Sequence, residues 1–408
     1  MRLTRTVQPF TFKNEYDQEL PFAECENLGL YVHIPFCKSI CNFCPYCKVR
    51  YSAELCDRYI DCLIEEINLV GSQHAGRKKV SSLYFGGGTP ALAANRIKEI
   101  VDALNDHFII TEGIGLELHP DNVNVEVLRI LKDAGVTKIS IGIQSFCDKY
   151  QKILGRKKID TAEMTSALSA VPFETVSMDF IFALPEQTYD DLKSDIDTAF
   201  SLGANHVAIY PFIDFTFTES PVAAMPKKDK RELLDAITQY CMEKGYSRSS
   251  IWTFSSEPEA SYSSMTRDNF LGFGCSATSL FKEQFKINTF DVAAYCQRIS
   301  SGKLATSLTI RFTKRQRMIY WLFWTAYSTR VSTSDFEKFF GVPLKKMYGF
   351  ELWVAKRLGF IKEHDGTYEM TLKGAFYYHY YENFYTLSYI DKMWGIMRKE
   401  AFPERIEL

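Results

Sequence analysis

The sequence predicts an α/β fold: an incomplete (β/α)6 TIM-like barrel followed by a helical, winged-helix-like C-terminal domain. Three observations predict it. Six short apolar runs between residues 30 and 212 alternate with amphipathic segments of ten or more residues, the pattern of parallel β/α units. The alternation ends before residue 300. Three helical patterns and a hairpin follow, the order of a winged helix. The expected division is an N-terminal extension over 1–29, a barrel domain over 30–300 and a C-terminal domain over 301–408.

The strands are read in order as Leu30–Phe36, Ser81–Gly87, Gly115–Pro120, Lys138–Ser145, Thr175–Leu184 and Asn205–Phe212. The helices between them are Ala53–Val70, Asn95–Phe108, Val125–Ala134, Thr161–Ala170 and Tyr189–Leu202. In a β/α barrel, function gathers at the C-terminal ends of the strands. That rule singles out GGGTP (Gly86–Pro90), where three glycines let backbone approach a ligand. It also singles out Glu117, Gln144 and Asp179, polar groups in otherwise apolar runs. A satisfied buried carboxylate is the alternative reading for the acids. His119 and His206 read as cap or surface residues.

Composition excludes several classes. The formal net charge of −2 leaves no electrostatic footprint for nucleic acid or an anionic membrane. No apolar run approaches the ~20 residues of a membrane span, and the polar start MRLTRTVQPF has no signal-peptide core. A cytoplasmic location is expected, where thiols stay reduced. The 11 cysteines therefore do not read as a disulfide framework.

Four of them are bunched. HIPFCKSICNFCPYCK holds Cys37, Cys41, Cys44 and Cys47 in the spacing C-x3-C-x2-C-x2-C. Structural zinc, a redox C-x-x-C pair and an iron–sulfur cluster are the three chemistries open to such a loop. Zinc sites usually pair two separated knuckles, and no second Cys/His pair lies at the usual distance. Three thiolates on a cubane leave one iron open, as a catalytic metal site requires. An open iron can chelate the amino and carboxylate groups of S-adenosylmethionine, and the spacing of Cys37, Cys41 and Cys44 is the signature of radical S-adenosylmethionine proteins. Phe43 precedes the third thiol, as is usual in that superfamily. Cys47 is either a spare thiol beside the cluster or a residue that acts on substrate.

The motifs YVHIPFCKSICNFC, LYFGGGTP, LELHP, ISIGIQSF, LGR and SMDFIFALPEQT occur in one order. In that order the chain resembles the oxygen-independent coproporphyrinogen III oxidase family of radical S-adenosylmethionine proteins, which includes HemN-like oxidases and HemW-like haem chaperones. Haem-degrading enzymes and C-methyltransferases share the architecture. The likeness runs over roughly Leu30–Leu280. It implies a radical S-adenosylmethionine barrel with a [4Fe-4S] cluster on Cys37, Cys41 and Cys44 and one or two molecules of S-adenosylmethionine. It implies cofactor contacts from Tyr31, Phe43, Gly87, Gly88, Thr89, Glu117, Gln144, Arg156 and Asp179. It implies a small-molecule substrate, a porphyrinogen or haem, and a low-potential electron donor such as flavodoxin or ferredoxin. The reference reaction is oxidative decarboxylation of propionate side chains. The alternatives within the family are a haem-binding chaperone without radical turnover and a C-methyltransferase using two S-adenosylmethionine molecules. Leu271–Ser279 (LGFGCSATS) resembles a late glycine-rich stretch near the second cofactor; read alone, it is a turn across the barrel mouth. Two departures stand out: Tyr46 takes the place of the oxidase branch's fourth cysteine, and Ala183 that of a common glycine.

In the C-terminal part, Thr313–Tyr327, Ser334–Phe340 and Leu344–Leu358 read as helices and Phe360–Gly374 as a hairpin turning at Asp365-Gly366. Glu351 interrupts the basic residues of the would-be recognition helix, which argues against DNA binding; the family resemblance implies a lid or docking module over the barrel mouth. Aromatics make up about a quarter of the last hundred residues, against 14% overall. Ala375–Tyr389 reads as a packed helix or as a flat wall for a macrocycle, with His379 a candidate axial haem ligand.

Overall fold

The computed structural model describes residues 10–15, 19–218, 223–257 and 268–408, except for the side chains of 381–384. Most of the polar start (residues 1–9) and part of the aromatic segment fall outside what it describes. Six strands form where apolar alternation places them: β1 Leu28–Ile34, β2 Leu83–Gly87, β3 Ile114–Leu118, β4 Lys138–Gln144, β5 Thr175–Phe182 and β6 His206–Pro211. Each is paired in parallel with the next, in chain order. The helices between them start on local signals. Ser52, Asn124 and Asp160 cap Ala53–Gly71, Val125–Asp133 and Thr161–Ala170, and Thr188 with Asp191 forms a capping box on Tyr189–Ser201. In Ala53–Gly71 the buried residues Cys56, Tyr59, Ile60, Leu63, Ile67 and Val70 recur every three or four positions. That stripe turns inward because burial of its apolar area drives the packing.

The sheet does not close. A seventh parallel strand, β7 Asn269–Phe273, lies on the outer side of β1, where the sequence reads a turn. From β7 the sheet continues antiparallel through Thr278–Leu280, Gln284–Asn288 and Thr306–Arg311 to Thr11–Lys13 and Arg405–Glu407. At the opposite edge, β6 pairs antiparallel with Thr253–Ser255. The strands flanking residue 300 are thus neighbours in one sheet. Thr11–Lys13, from the N-terminal extension, is clasped between two late strands.

The C-terminal helices Lys314–Tyr327, Thr333–Phe340 and Leu344–Arg357 and the hairpin Ile361–His364/Thr367–Met370 form the expected winged-helix unit. Arg330–Ser332 adds a third strand. The unit has its own small core around Trp321, Phe336, Phe340 and Tyr368. The chain then runs through Leu372–Tyr385 and a π-helical turn, Thr386–Ile390, into Asp391–Met397. This last helix returns to the barrel, where Met393 and Met397 join the main core. No helix among the described residues is long and apolar enough to cross a membrane.

Candidate functional site

Parity along the barrel strands builds the site. Side chains alternate faces every residue. Tyr31 and His33 on β1 therefore share a side, as do Ser140, Gly142 and Gln144 on β4, Ser177 and Asp179 on β5, and His206 and Tyr210 on β6. All of these but Ser177 line one cavity of about 2180 Å³. The cavity runs along the strands from their starts, at Ser82, Lys138 and Asn269, to their ends, at Gly88, Gln144 and Tyr210, and Trp324, Tyr385 and Trp394 of the C-terminal helices line it too.

The cysteine loop sits at its edge. Just past β1, Phe36–Cys37 pairs with Val49–Arg50, and Tyr51 N–H donates to the Cys37 carbonyl at 2.9 Å. Residues 38–48 are thereby a closed excursion. Cys37, Cys41 and Cys44 are half-buried on it and all border the cavity. Burial, and after it the neighbouring Cys44, pushes the Cys37 thiol up to about 11. Thr89 Oγ1 donates to Cys37 Sγ at 3.9 Å, and Arg156 Nε donates to Cys41 Sγ at 3.4 Å. The Arg156 guanidinium also lies 5.8 Å from the Phe43 ring and donates to the Gly142 carbonyl. Among the described residues no three Cys, His, Asp or Glu side chains converge on a point for a single ion. A cubane asks for no such point, because each thiolate binds a different iron. Three half-buried thiols on one closed loop fit that demand.

Gly87 and Gly88 pass beneath the loop. A Cβ on Gly88 would lie 2.6 Å from the Phe36 carbonyl oxygen, and one on Gly87, at φ +125°, 2.7 Å from that of Ile34. Only glycine fits here. Gly87 N–H donates to Glu117 at 3.3 Å, and Tyr84 OH donates to the same carboxyl at 2.9 Å. Tyr31 stacks on Tyr84 at 6.3 Å and hydrogen-bonds His33 Nδ1 at 3.0 Å. Asp179 accepts from Ser140 at 2.7 Å and Ser177 at 3.2 Å. Burial raises Glu117 to about 7 and Asp179 to about 6. Gln144 sits at φ +71°, left-handed backbone that a non-glycine residue adopts at a cost, beside a register shift between β4 and β5. Ala183 is left-handed too, at φ +66°, a conformation that glycine takes without strain.

Tyr31, Phe43, Gly87, Gly88, Thr89, Glu117, Gln144, Arg156, Asp179 and the four cysteines of the loop thus border one cavity. Other readings need correction. His206 is neither cap nor surface: it is buried in β6, with Nδ1 2.9 Å from Ser177 Oγ, and burial lowers it to about 4. His119 does cap, accepting from Asp121 N–H at 3.2 Å. His379 does not border the cavity; it is packed edge-on against Trp252 at 4.8 Å and lowered by burial to about 3. His33, Tyr84, Ser140 and Tyr210 went unread, although parity with Tyr31, Gly86, Gly142 and His206 marks each of them.

The wall facing the strand ends is aromatic. Tyr46 and Tyr210 are 54% and 44% exposed, but to the cavity, and the enclosing protein pushes both phenols above their ordinary range. Tyr46 lies 6.0 Å from Trp394, Trp394 lies 6.0 Å from Phe290, and Arg398 donates to the Pro45 carbonyl. The last helix is therefore docked on the cysteine loop.

Comparison with known proteins agrees with this geometry. The Radical SAM superfamily profile matches residues 31–199. The heme chaperone HemW of Bacillus subtilis is 28% identical over 66% of this chain and 75% of its own length. HemW of Lactococcus lactis is 30% identical over 61% of this chain and 68% of its own. The oxygen-independent coproporphyrinogen III oxidase of Pseudomonas aeruginosa is 27% identical over 68% of this chain and 67% of its own. In fold, the chain superposes on the coproporphyrinogen III oxidase HemN of Escherichia coli with a TM-score of 0.75, at 22% identity, over 94% of this chain and 96% of that one. Radical SAM membership implies a [4Fe-4S] cluster and S-adenosylmethionine as cofactors. The chain belongs to the radical SAM superfamily, in the family that holds the HemW proteins and the oxygen-independent coproporphyrinogen III oxidases.

Proposed function

We propose that this chain is a radical S-adenosylmethionine oxidoreductase of the coproporphyrinogen-oxidase type, acting on a tetrapyrrole-like substrate. One observation carries the reading: Cys37, Cys41 and Cys44 border the same cavity as the Gly87–Thr89 loop and the polar strand ends Glu117, Gln144 and Asp179. Those three cysteines would hold the cluster, and the four-iron cluster would keep one iron for S-adenosylmethionine. When bound and reduced, the cluster would supply the electron for reductive cleavage of S-adenosylmethionine.

The chain's own residues bind, orient and shield. Gly87 and Gly88, bare of side chains, leave room for the methionine end beside Cys37. Arg156 places positive charge against the Cys41 sulfur. Glu117 and Asp179 offer carboxyl oxygens to the cofactor's polar groups. Tyr31, stacked on Tyr84, gives a planar surface beside them. The aromatic roof excludes water from a site where a carbon radical would otherwise be quenched. At about 2180 Å³ the cavity exceeds the ~1,000 Å³ of a large single-ligand pocket, so a macrocycle and a second S-adenosylmethionine both have room. A flavodoxin or ferredoxin would deliver the electron.

A second reading, a haem-binding chaperone, is favoured by the names of the two HemW relatives and by Tyr46 standing on the cavity in place of a fourth cysteine. One experiment separates the two. The cluster is reconstituted without oxygen, reduced, and given S-adenosylmethionine with and without coproporphyrinogen III, and 5′-deoxyadenosine is measured by mass spectrometry. The oxidoreductase reading expects its release, with loss of carboxyl groups from the porphyrinogen. Release without porphyrinogen products would move the substrate elsewhere. No release from a fully loaded cluster, together with stoichiometric haem binding, would establish the chaperone. Cys44→Ala is expected to lose both the cluster's visible absorption and the cleavage; retention of both would show that the ligands are misassigned.

A further inference from the structure

The proposed chemistry leaves two facing thiols unused. Cys47 ends the cysteine loop, three residues beyond Cys44. Cys275 stands 228 positions later, in the turn after β7. Their Sγ atoms are 3.8 Å apart. Cys47 is 5% exposed and borders the cavity; Cys275 is wholly buried behind it. Their backbones are linked through His33 and Tyr59. His33 Nε2 lies 3.1 Å from the Cys47 carbonyl oxygen. Tyr59 OH donates to the His33 carbonyl at 2.7 Å and accepts from Cys275 N–H at 2.9 Å. The turn is packed tightly as well, since a Cβ on Gly274 would lie 2.5 Å from that hydroxyl. The two sulfurs are thus kept opposed, and closing to the ~2.05 Å of a disulfide asks for less than 2 Å of movement.

We propose that Cys47 and Cys275 form a reversible disulfide when the protein meets a peroxide. Hydrogen peroxide is close to water in size and reaches Cys47 through the cavity. Cys47 gives its proton to solvent, and its sulfur attacks the peroxide O–O bond. This forms the Cys47 sulfenic acid and releases hydroxide, which takes up a proton as water. Cys275 then loses its proton, and its sulfur displaces the sulfenic oxygen, which leaves as a second water. Two thiols are oxidised by two electrons, and one peroxide is reduced to two waters. A dithiol reverses the bond by exchange. The cross-link ties the end of the cysteine loop to the turn beside β1 without using Cys37, Cys41 or Cys44.

The test uses the full chain, loaded with its cluster and, separately, free of it. Each form is exposed to hydrogen peroxide, its free thiols are alkylated, and its peptides are analysed by mass spectrometry. The expected result is a peptide joining Cys47 to Cys275, two hydrogens lighter than the dithiol and abolished by dithiothreitol. In Cys275→Ser the resolving thiol is gone, so Cys47 should be found as trapped sulfenic acid or its higher oxides. Recovery of both residues alkylated after peroxide would overturn the proposal, as would pairing of Cys47 with Cys44. The wild-type peptide decides the matter even if the variant does not fold.

Discussion

Glu117 and Asp179 are carboxyl groups enclosed by protein, and each is shifted mainly by burial. Glu117 moves from 4.5 to about 7 and Asp179 from 3.8 to about 6. The folded chain therefore holds protons that the unfolded chain has released. Between the unfolded and folded values, stability falls as pH rises; above the folded value the loss is complete. For Glu117 the window runs from pH 4.5 to about 7, and the whole effect is on the order of 3 kcal/mol. Glu117→Gln removes this share, because an amide does not titrate. Urea midpoints of cluster-free protein should then fall less steeply from pH 4.5 to 7 in the variant than in the wild type. Equal slopes would mean that Glu117 is ionised throughout and that an unseen cation balances it. The same protonation matters for the site. Near neutral pH, Glu117 is poised between donating and accepting a hydrogen bond, so cofactor affinity in this cavity should change with pH.

At the scale of elements, a buried carboxylate holds the barrel's outer seam. Glu66 of Ala53–Gly71 accepts from Gly274 N–H and Tyr295 OH at 2.7 Å each, and from Asn288 Nδ2 at 3.1 Å. One helix thereby fixes the turn after β7, a strand and the helix Val292–Ser300. Glu66→Ala would strand three buried donors, each costing about 1–3 kcal/mol without a partner. A drop of several kcal/mol in stability is expected, read as a lower urea midpoint; a loss under 1 kcal/mol would mean that water replaces the carboxylate. This seam also marks where the sequence stops being readable. β1 to β6 and the helices between them were legible to within about two residues, because apolar period and N-caps are local signals. The bunching of Cys37, Cys41 and Cys44 at one edge of the cavity was legible for the same reason, since their spacing is local. β7 was not. NFLGF carries a glycine and runs into GCSA, which reads as a turn, and its partner β1 lies some 240 positions earlier. The Cys47–Cys275 pair and the Glu66 network depend on that same long-range pairing, so no window of sequence contains them.

Over the whole molecule, the chain closes on itself above the site. Thr11–Lys13 and Arg405–Glu407 pair at the far edge of the sheet, which anchors both ends of the described chain. The helix Asp391–Met397 is tied to the loop after β6 by Asp391, which accepts from Thr216 N–H at 2.8 Å and Thr216 Oγ1 at 2.7 Å. Trp394 then packs on Tyr46, two residues from Cys44, and on Phe290. The winged-helix unit acts in this arrangement as a spacer that carries the last helix back to the cysteine loop. If that helix is what shields the loop, weakening its dock should expose the thiols without unfolding the barrel. Trp394→Ala removes the ring between Tyr46 and Phe290, and Asp391→Ala removes both hydrogen bonds to Thr216. In cluster-free protein each variant should speed alkylation of Cys37, Cys41 and Cys44 severalfold, while Cys241, wholly buried in the barrel core, keeps its wild-type rate. Peptide mass spectrometry after timed exposure to iodoacetamide measures all four rates in one sample. Unchanged rates at the loop would show that the last helix rests on it without covering it. Faster labelling of Cys241 as well would mean that the substitution loosens the whole fold. Selective acceleration is the outcome the packing requires, because Trp394 touches the loop from the cavity side and Cys241 lies in a different helix.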